Sequence, residues 1–426
     1  MKKALLITYY WPPSGGSSVQ RWLKMLKYFP EMGIEPFVIT VDPLQASYPL
    51  RDESLEQDIH PGIHVYKTPT REFYQLYKKL TGRKEIPYAG FVNEQKVDWK
   101  QIVSRIIRSH LFIPDPRKGW NRFAHRKAVE LISQHGISTI ITATPPHSTQ
   151  LVGLRLKKQF NLQWIADLQD PWTDIYYYRQ LYHSVISASL DARYERKVLE
   201  NADYVITVSD SIRELFRKKS RRVNPDKILV IPNGYDEDDL RGSREIPTDP
   251  FTISYVGTLS EDYYPLDSFL KAAEEITATN VRLLLRFVGK VSPPAMRKIK
   301  AVKGMAVEFI DYVPHEESVR YLMKTNALLL IIPQMDQNEG ILTGKLFEYL
   351  GSGKRIIGIG PSQGDAAKIL RECGSGDMFD YEKSEDIKKY LGGIIEEAHK
   401  KRFDPDWNKI MRYSRRSQAS VVVQLL

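Results

Sequence analysis

A chain of 426 residues is long enough for two or three domains, and 42% hydrophobic and 27% charged residues are ordinary values for a soluble globular protein. Its single cysteine, Cys373, excludes an intramolecular disulfide framework and a cysteine-rich zinc site, and fits a reducing compartment. The formal net charge of +10 leaves nucleic acid, an anionic membrane and an anionic substrate open as partners.

The opening "MKKALLITYYWPP" imitates a signal peptide, but its apolar run stops at Tyr-Tyr-Trp-Pro-Pro and no small-residue cleavage site follows, so it reads as a first strand. No later segment approaches the roughly 18 apolar residues that span a bilayer, and a cytoplasmic protein is expected. From there short apolar runs alternate with helix-length amphipathic segments, the pattern of an α/β fold. The first half predicts strands at "ALLITYY", "PFVIT", "IHVYKT", "TIITAT", "QWIADL", "DYVITVS" and "ILVIPNG".

After the first strand, Gly15 and Gly16 make a tight loop, Ser17 or Ser18 can cap the next helix, and Arg21 lies about one turn in. This loop is not the dinucleotide G-x-G-x-x-G pattern, and many strand-to-helix turns carry glycine. From about 70 to 126 the strand–helix rhythm breaks. Between Lys96 and Lys127 nine Lys/Arg face only Asp98 and Asp115, and Trp99, Ile102, Val103, Ile106 and Ile107 recur at helical spacing beside Lys100, Arg105 and Arg108. Such a helix either packs on the sheet or lies on anionic lipid. Further on, two strand ends carry groups suited to proton transfer or hydroxyl binding: His147 in "TATPPHSTQ", and Asp167, Asp170 and Asp174 in "IADLQDPWTD". Each could also cap a helix, the preferred reading for Asp174.

The polar, turn-rich stretch from Asn233 to Pro250 predicts a linker between two doubly wound sheets. Beyond it come strands at "FTISYVG", "VRLLLRFVG", "VEFIDYV", "ALLLIIP" and "RIIGIG". Between the last two, "ILTGKLFEYLGSG" predicts a short helix at the carboxyl edge of a sheet, where open α/β sheets bind ligands. Thr343 is a good N-cap, Gly344 lets a ligand approach the backbone, and the first-turn N–H groups with the helix dipole favour a phosphate. Lys345 adds a positive charge, and Glu348, three residues on, offers a carboxylate to paired hydroxyls. A phosphate grip beside a diol grip suits a ribose-diphosphate; an ordinary Lys–Glu helix pair followed by a glycine stop explains the same spacing. The closing "WNKIMRYSRRSQASVVVQLL" reads as a frayed tail or as a helix strapping back to the first domain.

Nine scattered histidines include no H-E-x-x-H, no D-x-D has metal-ligand spacing, and no P-loop, zinc finger or RNP pattern occurs. Metal, NTP hydrolysis and nucleic acid therefore find no support.

Taken together, "YYWPPSGGSSVQRWLKMLKYFPEMG", "ADLQDPW", "ERKVLENADYVITVSDSIRELF", "ILVIPNGYD", "ISYVGTLS", "FVGKV" and "GKLFEYLGSGKRIIGIG" resemble glycosyltransferases of the GT-B fold, specifically the large retaining family 4, over nearly the whole chain. The resemblance implies two Rossmann-like parallel sheets facing across a cleft: an acceptor-binding domain over 1–235 with a helical basic insertion about 70–126, a nucleotide-sugar domain over 236–402, and a helix over 403–426 strapped back to the first domain. It implies that Glu348 binds ribose hydroxyls, that Thr343, Gly344 and Lys345 surround the phosphates, and that Leu346 belongs to the donor site. Two positions differ from the family pattern. The first of its paired glutamates falls at Gly340, with Glu339 one place away, and the basic pair after the first strand of the second domain is replaced by "VGTLSEDYYPLD", where Thr258 stands. Lys345, Arg21 and Lys290, in that order, are then the groups left to neutralise a diphosphate.

By the same resemblance Asp170, with His147 second, contacts the donor sugar or acceptor hydroxyl, and no metal or other cofactor is required. The implied partners are a nucleotide-sugar, with UDP favoured and GDP open, and a lipid-linked or polysaccharide acceptor, handled by a cytoplasmic enzyme peripheral on the inner face of the cell membrane. The competing functions are a nucleotide-sugar epimerase and a non-catalytic sugar-nucleotide-binding or scaffold protein.

Overall fold

A computed structural model describes residues 1–72, 109–110, 112–175, 178, 181–240, 249–261, 263–400 and 403–426. The chain divides into two compact units, residues 1–232 with 419–426, and residues 233–418. The basic segment's predicted helix, with Trp99, Ile102, Arg105 and Arg108, lies outside the described residues. Among the described residues no helix is long and apolar enough to cross a membrane.

The first unit is built on a seven-stranded parallel sheet in the order β3-β2-β1-β4-β5-β6-β7. Its strands are β1 (Lys2–Ile7), β2 (Ile34–Val41), β3 (His64–Thr68), β4 (Thr139–Ala143), β5 (Gln163–Asp167), β6 (Tyr204–Thr207) and β7 (Ile228–Val230), the seven that hydrophobic runs predict. The near-continuous burial of β1, β2, β4, β5 and β6 is what a parallel sheet covered on both faces demands, while the edge strands β3 and β7 are less buried. Helix α1 (Ser17–Leu26) buries Val19, Trp22, Leu23 and Leu26 on one stripe. Further helices are α2 (Asn121–His135), α3 (Thr149–Gln159), α4 (Val185–Asn201) and α5 (Asp210–Lys219). Ala419 and Val422, both fully buried, complete the core beside Leu6, Val19, Trp22 and Leu23.

The second unit carries a six-stranded parallel sheet, β10-β9-β8-β11-β12-β13: β8 (Phe251–Val256), β9 (Leu283–Val288), β10 (Ala306–Ile310), β11 (Ala327–Ile331), β12 (Arg355–Ile359) and β13 (Gly376–Phe379). The sixth, β13, escapes sequence reasoning because "GDMF" has neither alternation nor an apolar run. Gly376 is needed there, since a Cβ would stand 2.0 Å from the Ile356 carbonyl oxygen on the neighbouring strand. Helices α6 (Asp267–Thr277), α7 (Pro293–Lys300), α8 (His315–Met323), α9 (Gly344–Ser352), α10 (Asp365–Glu372), α11 (Ser384–Lys400), α12 (Trp407–Ile410) and α13 (Arg415–Leu425) follow, the last crossing from one unit's residues to the other's. The expected linker is partly core: Tyr235 donates its N–H to Tyr413 O at 3.1 Å and, with Leu240, is buried in the second unit.

Both sheets reverse winding once, between β1 and β4 and between β8 and β11. In open α/β sheets ligands bind outside the carboxyl ends of the strands that flank such a switch. The loops after β1, β4, β8 and β11 are therefore where chemistry is to be sought.

Candidate functional site

In the second unit, β8 is buried along its whole length and ends at Gly257, whose φ of +127° favours glycine. A Cβ there would also lie 2.4 Å from Lys345 Cε, and a Cβ on Gly289 would lie 2.7 Å from Gly257 O. Lys345 belongs to α9, which follows β11. The helix buries Leu346, Phe347, Tyr349 and Leu350, worth about 1.5–3 kcal/mol for each large side chain, and stops at Gly353 with φ +67°. Anchored on that face, it delivers the lysine across the switch point onto the end of β8.

There Lys345 Nζ donates to Tyr255 Oη at 2.6 Å, sits 4.2 Å from the Tyr255 ring centroid and 5.8 Å from that of Tyr264. The Tyr255 hydroxyl in turn donates to Thr258 O at 2.8 Å. Desolvation in this aromatic surround lowers the Lys345 pKa to about 7, with Glu348 pulling the other way. No carboxylate among the described residues forms an ion pair with it. Its charge is held by ring faces and one hydroxyl.

The helix mouth itself is open. Thr343 is the N-cap residue but makes no side-chain cap bond, and its Oγ1 has no hydrogen-bond partner among the described residues. A Cβ added to Gly344 would touch nothing within 4 Å. One turn further, Glu348 Oε1 lies 3.2 Å from His315 Nε2 at the start of α8, both side chains about one third exposed. Around the mouth, Thr258 and Lys290 are exposed after β8 and β9, and Glu339 is exposed in a short 3₁₀ turn, Asn338–Gly340. Leu346 is a correction. Its side chain is 0% exposed in the core and its N–H bonds to Thr343 O, so it cannot meet a ligand through its side chain.

In the first unit, Gly15 donates its N–H to Leu50 O at 3.1 Å, and Asp52 donates to Pro13 O at 2.8 Å, so the loop after β1 is tied to the 50–52 segment. Gly16 is the N-cap of α1 with no side-chain cap, and Ser17 is an exposed first-turn residue rather than the cap. Arg21 is the larger correction. It is fully buried, its Nε and one terminal nitrogen meet both oxygens of Asp167 at 3.1 and 3.2 Å, and the carbonyls of Ile231 and Pro232 accept at 2.8 Å. Trp22 Nε1 completes the Asp167 carboxylate at 2.7 Å. All three guanidinium nitrogens are engaged inside the fold and the side chain is fully buried, so it does not face a phosphate.

The loops after β4 and β5 are cross-tied, Gln169 donating from N and Nε2 to Thr144 Oγ1 and O at 3.2 and 2.6 Å. This brings His147 and Asp170 together: the Asp170 backbone approaches the imidazole, which stacks on Trp172 with centroids 5.0 Å apart. Burial lowers the His147 pKa to about 4, so the ring is neutral at physiological pH and a weak base. The surrounding protein and Asp167 push the Asp170 carboxyl upward, although its side chain reaches solvent. Asp174 pairs with Lys219 instead of capping a helix.

Residues that sequence reasoning missed frame both places. Asp191 on α4 accepts from Trp172 Nε1 and Tyr178 Oη, both at 3.1 Å, and so holds the loop that carries Asp170. Tyr255 reads as an ordinary core position of "FTISYVG", and His315 as a turn residue of "VPHEES"; neither run of letters signals a lysine cradle or a carboxylate partner.

The model of the family described as Glycosyltransferase Family 4 matches residues 18–239. No curated protein matches the chain. Among solved structures, the chain is similar to HepE of Anabaena in complex with UDP-glucose, at 13% identity and a TM-score of 0.59, with all of both chains covered. It is similar to the lipopolysaccharide outer core galactosyltransferase WaaB, at 12% identity and 0.58 with all of both covered. It is also similar to sucrose-phosphate synthase from Thermosynechococcus elongatus, at 16% identity and 0.57, covering all of this chain and 98% of that one. At such identities these likenesses show the fold alone, the GT-B arrangement of two parallel sheets.

Proposed function

From the premise that this chain belongs to glycosyltransferase family 4, we propose that it is a retaining, metal-independent hexosyl- or N-acetylhexosaminyl-transferase. The donor is a nucleotide-sugar, UDP favoured and GDP open, and the acceptor is a lipid-linked or polysaccharide glycan of the cell surface. The observation that carries this reading is the delivery of Lys345 onto the Gly257 strand end, where the basic pair after the first strand of the second domain is missing. This offers a cation where the pattern lacks one, which supports a catalytic reading over a non-catalytic scaffold.

The chemistry follows from charge development. As the bond between the sugar's anomeric carbon and the phosphate oxygen breaks, its electron pair moves onto the leaving diphosphate. Lys345 and the free N–H groups at the mouth of α9 stabilise that charge without a metal ion. The acceptor hydroxyl forms the new bond on the same face and passes its proton to the departing phosphate oxygen. Asp170 orients the hydroxyl or the donor sugar, and neutral His147 contributes its position against Trp172 rather than a strong base. A diphosphate arriving beside Lys345 raises the amine's pKa again, so binding takes up a proton near neutral pH.

Calorimetry and thermal shift against UDP, GDP, ADP and CMP test this directly, because a ligand that binds the folded state raises its melting temperature. One nucleotide should bind, and Glu348→Ala should weaken it by about 1.5–3 kcal/mol through loss of charge-assisted hydrogen bonds. If no nucleotide binds, the donor reading fails. The basic segment 96–127 would hold the enzyme on the cytoplasmic membrane face, close to a lipid-linked acceptor. Sedimentation with anionic vesicles checks this, and an Arg105→Glu/Arg108→Glu variant that still sediments overturns it.

A further inference from the structure

We propose that His315 is a positioning residue that orients the Glu348 carboxylate for recognition of vicinal hydroxyls. The proposal rests on the donor reading given above and deepens it. His315 opens α8, and Glu348 sits in the second turn of α9, 33 residues away, yet His315 Nε2 and Glu348 Oε1 stand 3.2 Å apart. Facing a carboxylate, Nε2 carries the proton and donates it. The bond takes one lone pair of Oε1 and leaves Oε2 whole, the arrangement in which a carboxylate can still accept from two adjacent hydroxyls.

A surface ion pair of this exposure adds little to stability. Two features nevertheless set it apart from an incidental contact. His315 is the first residue of a different helix, α8, so its imidazole reaches Glu348 from outside α9. Glu348 shares a helix with Lys345, whose amine already lies across the switch point, so a freely rotating carboxylate could swing toward it within one turn. The bond to His315 holds the carboxylate on the α8 side and keeps the cation and the anion of the site apart. Fixing a ligand group before binding spares the rotamer entropy otherwise lost on binding.

The experiment measures affinity for UDP, or for whichever of GDP, ADP and CMP binds the wild type, and for its 2′,3′-dideoxy analogue. Wild type should prefer the ribonucleotide by about tenfold or more. His315→Ala should cut that preference about fivefold by weakening the ribonucleotide alone, and His315→Gln, whose amide reaches the Nε2 position, should restore most of it. If the Ala variant does not fold, His315→Asn replaces it, because its amide falls short of Glu348. Equal weakening of both ligands leaves the preference intact and overturns the proposal, as does failure of Gln to rescue. A wild type that binds none of the four nucleotides overturns the donor reading and this proposal with it. A wild type that binds one of them without ribose preference overturns this proposal alone.

Discussion

Arg21 and Lys345 occupy comparable places, each on the helix that follows a strand at the switch point of its sheet, and the surroundings give them opposite roles. Around Arg21 the first unit supplies a buried carboxylate and two carbonyls, so the guanidinium is consumed in tying α1 to the ends of β5 and β7. Around Lys345 the second unit supplies two aromatic rings and a hydroxyl, which hold the side chain without a counter-ion. A helix-borne cation at a strand end is thus left available to a ligand only where the fold withholds a counter-ion. The position of the residue in the sequence does not say which case applies.

The contrast is easiest to break at Arg21. Arg21→Met leaves Asp167 buried without its partner and should cost about 3–5 kcal/mol in the urea unfolding of the first unit, with nucleotide affinity of the folded protein unchanged. A loss below about 1 kcal/mol would mean that Asp167 is satisfied by Trp22 and backbone alone.

Asp170→Asn asks whether the first unit works from the β5 end instead of the β1 loop. Turnover should fall about 10²-fold or more with nucleotide affinity nearly unchanged. Equal losses in both would make Asp170 a structural residue.

Lys345→Met sharpens the other half. Nucleoside diphosphate affinity should drop by about 1.5–3 kcal/mol while stability holds or rises, because a desolvated amine is removed. The pH dependence has a defined sign. The folded-state pKa of about 7 lies below the ordinary value of about 10.4, so between these pH values the unfolded chain binds the extra proton. The destabilisation by Lys345 is therefore complete below 7 and fades as pH rises toward 10.4. Binding runs the other way: the cation is lost above 7, so affinity should fall by up to about tenfold per pH unit there, and the Met variant should abolish that slope.

Most of the architecture is legible in the letters. Buried parallel strands are apolar runs, and twelve of the strands announce themselves that way; β13 does not, because an edge strand that needs Gly376 and carries Asp377 can afford neither pattern nor bulk. The candidate site is legible only as positions. Thr343, Gly344, Lys345 and Glu348 follow from their place at a helix mouth, and His147 and Asp170 from theirs at strand ends. Which side chains are free is decided by contacts between residues far apart in sequence: Arg21 with Asp167, Lys345 with Tyr255, Glu348 with His315. No local window contains both members of such a pair. The start of the expected linker misleads for the same reason, since Tyr235 is held by Tyr413 and Ser414.

The return of residues 419–426 to the first unit bears on the order in which the protein can be made. Ala419 and Val422 fill the core beside Leu6 and Trp22, yet they leave the ribosome only after residues 233–418 have been added. At about 5–20 residues per second, the first sheet waits roughly 10–40 seconds with that face uncovered. The core of the first unit therefore closes only once the whole of the second unit has been synthesised.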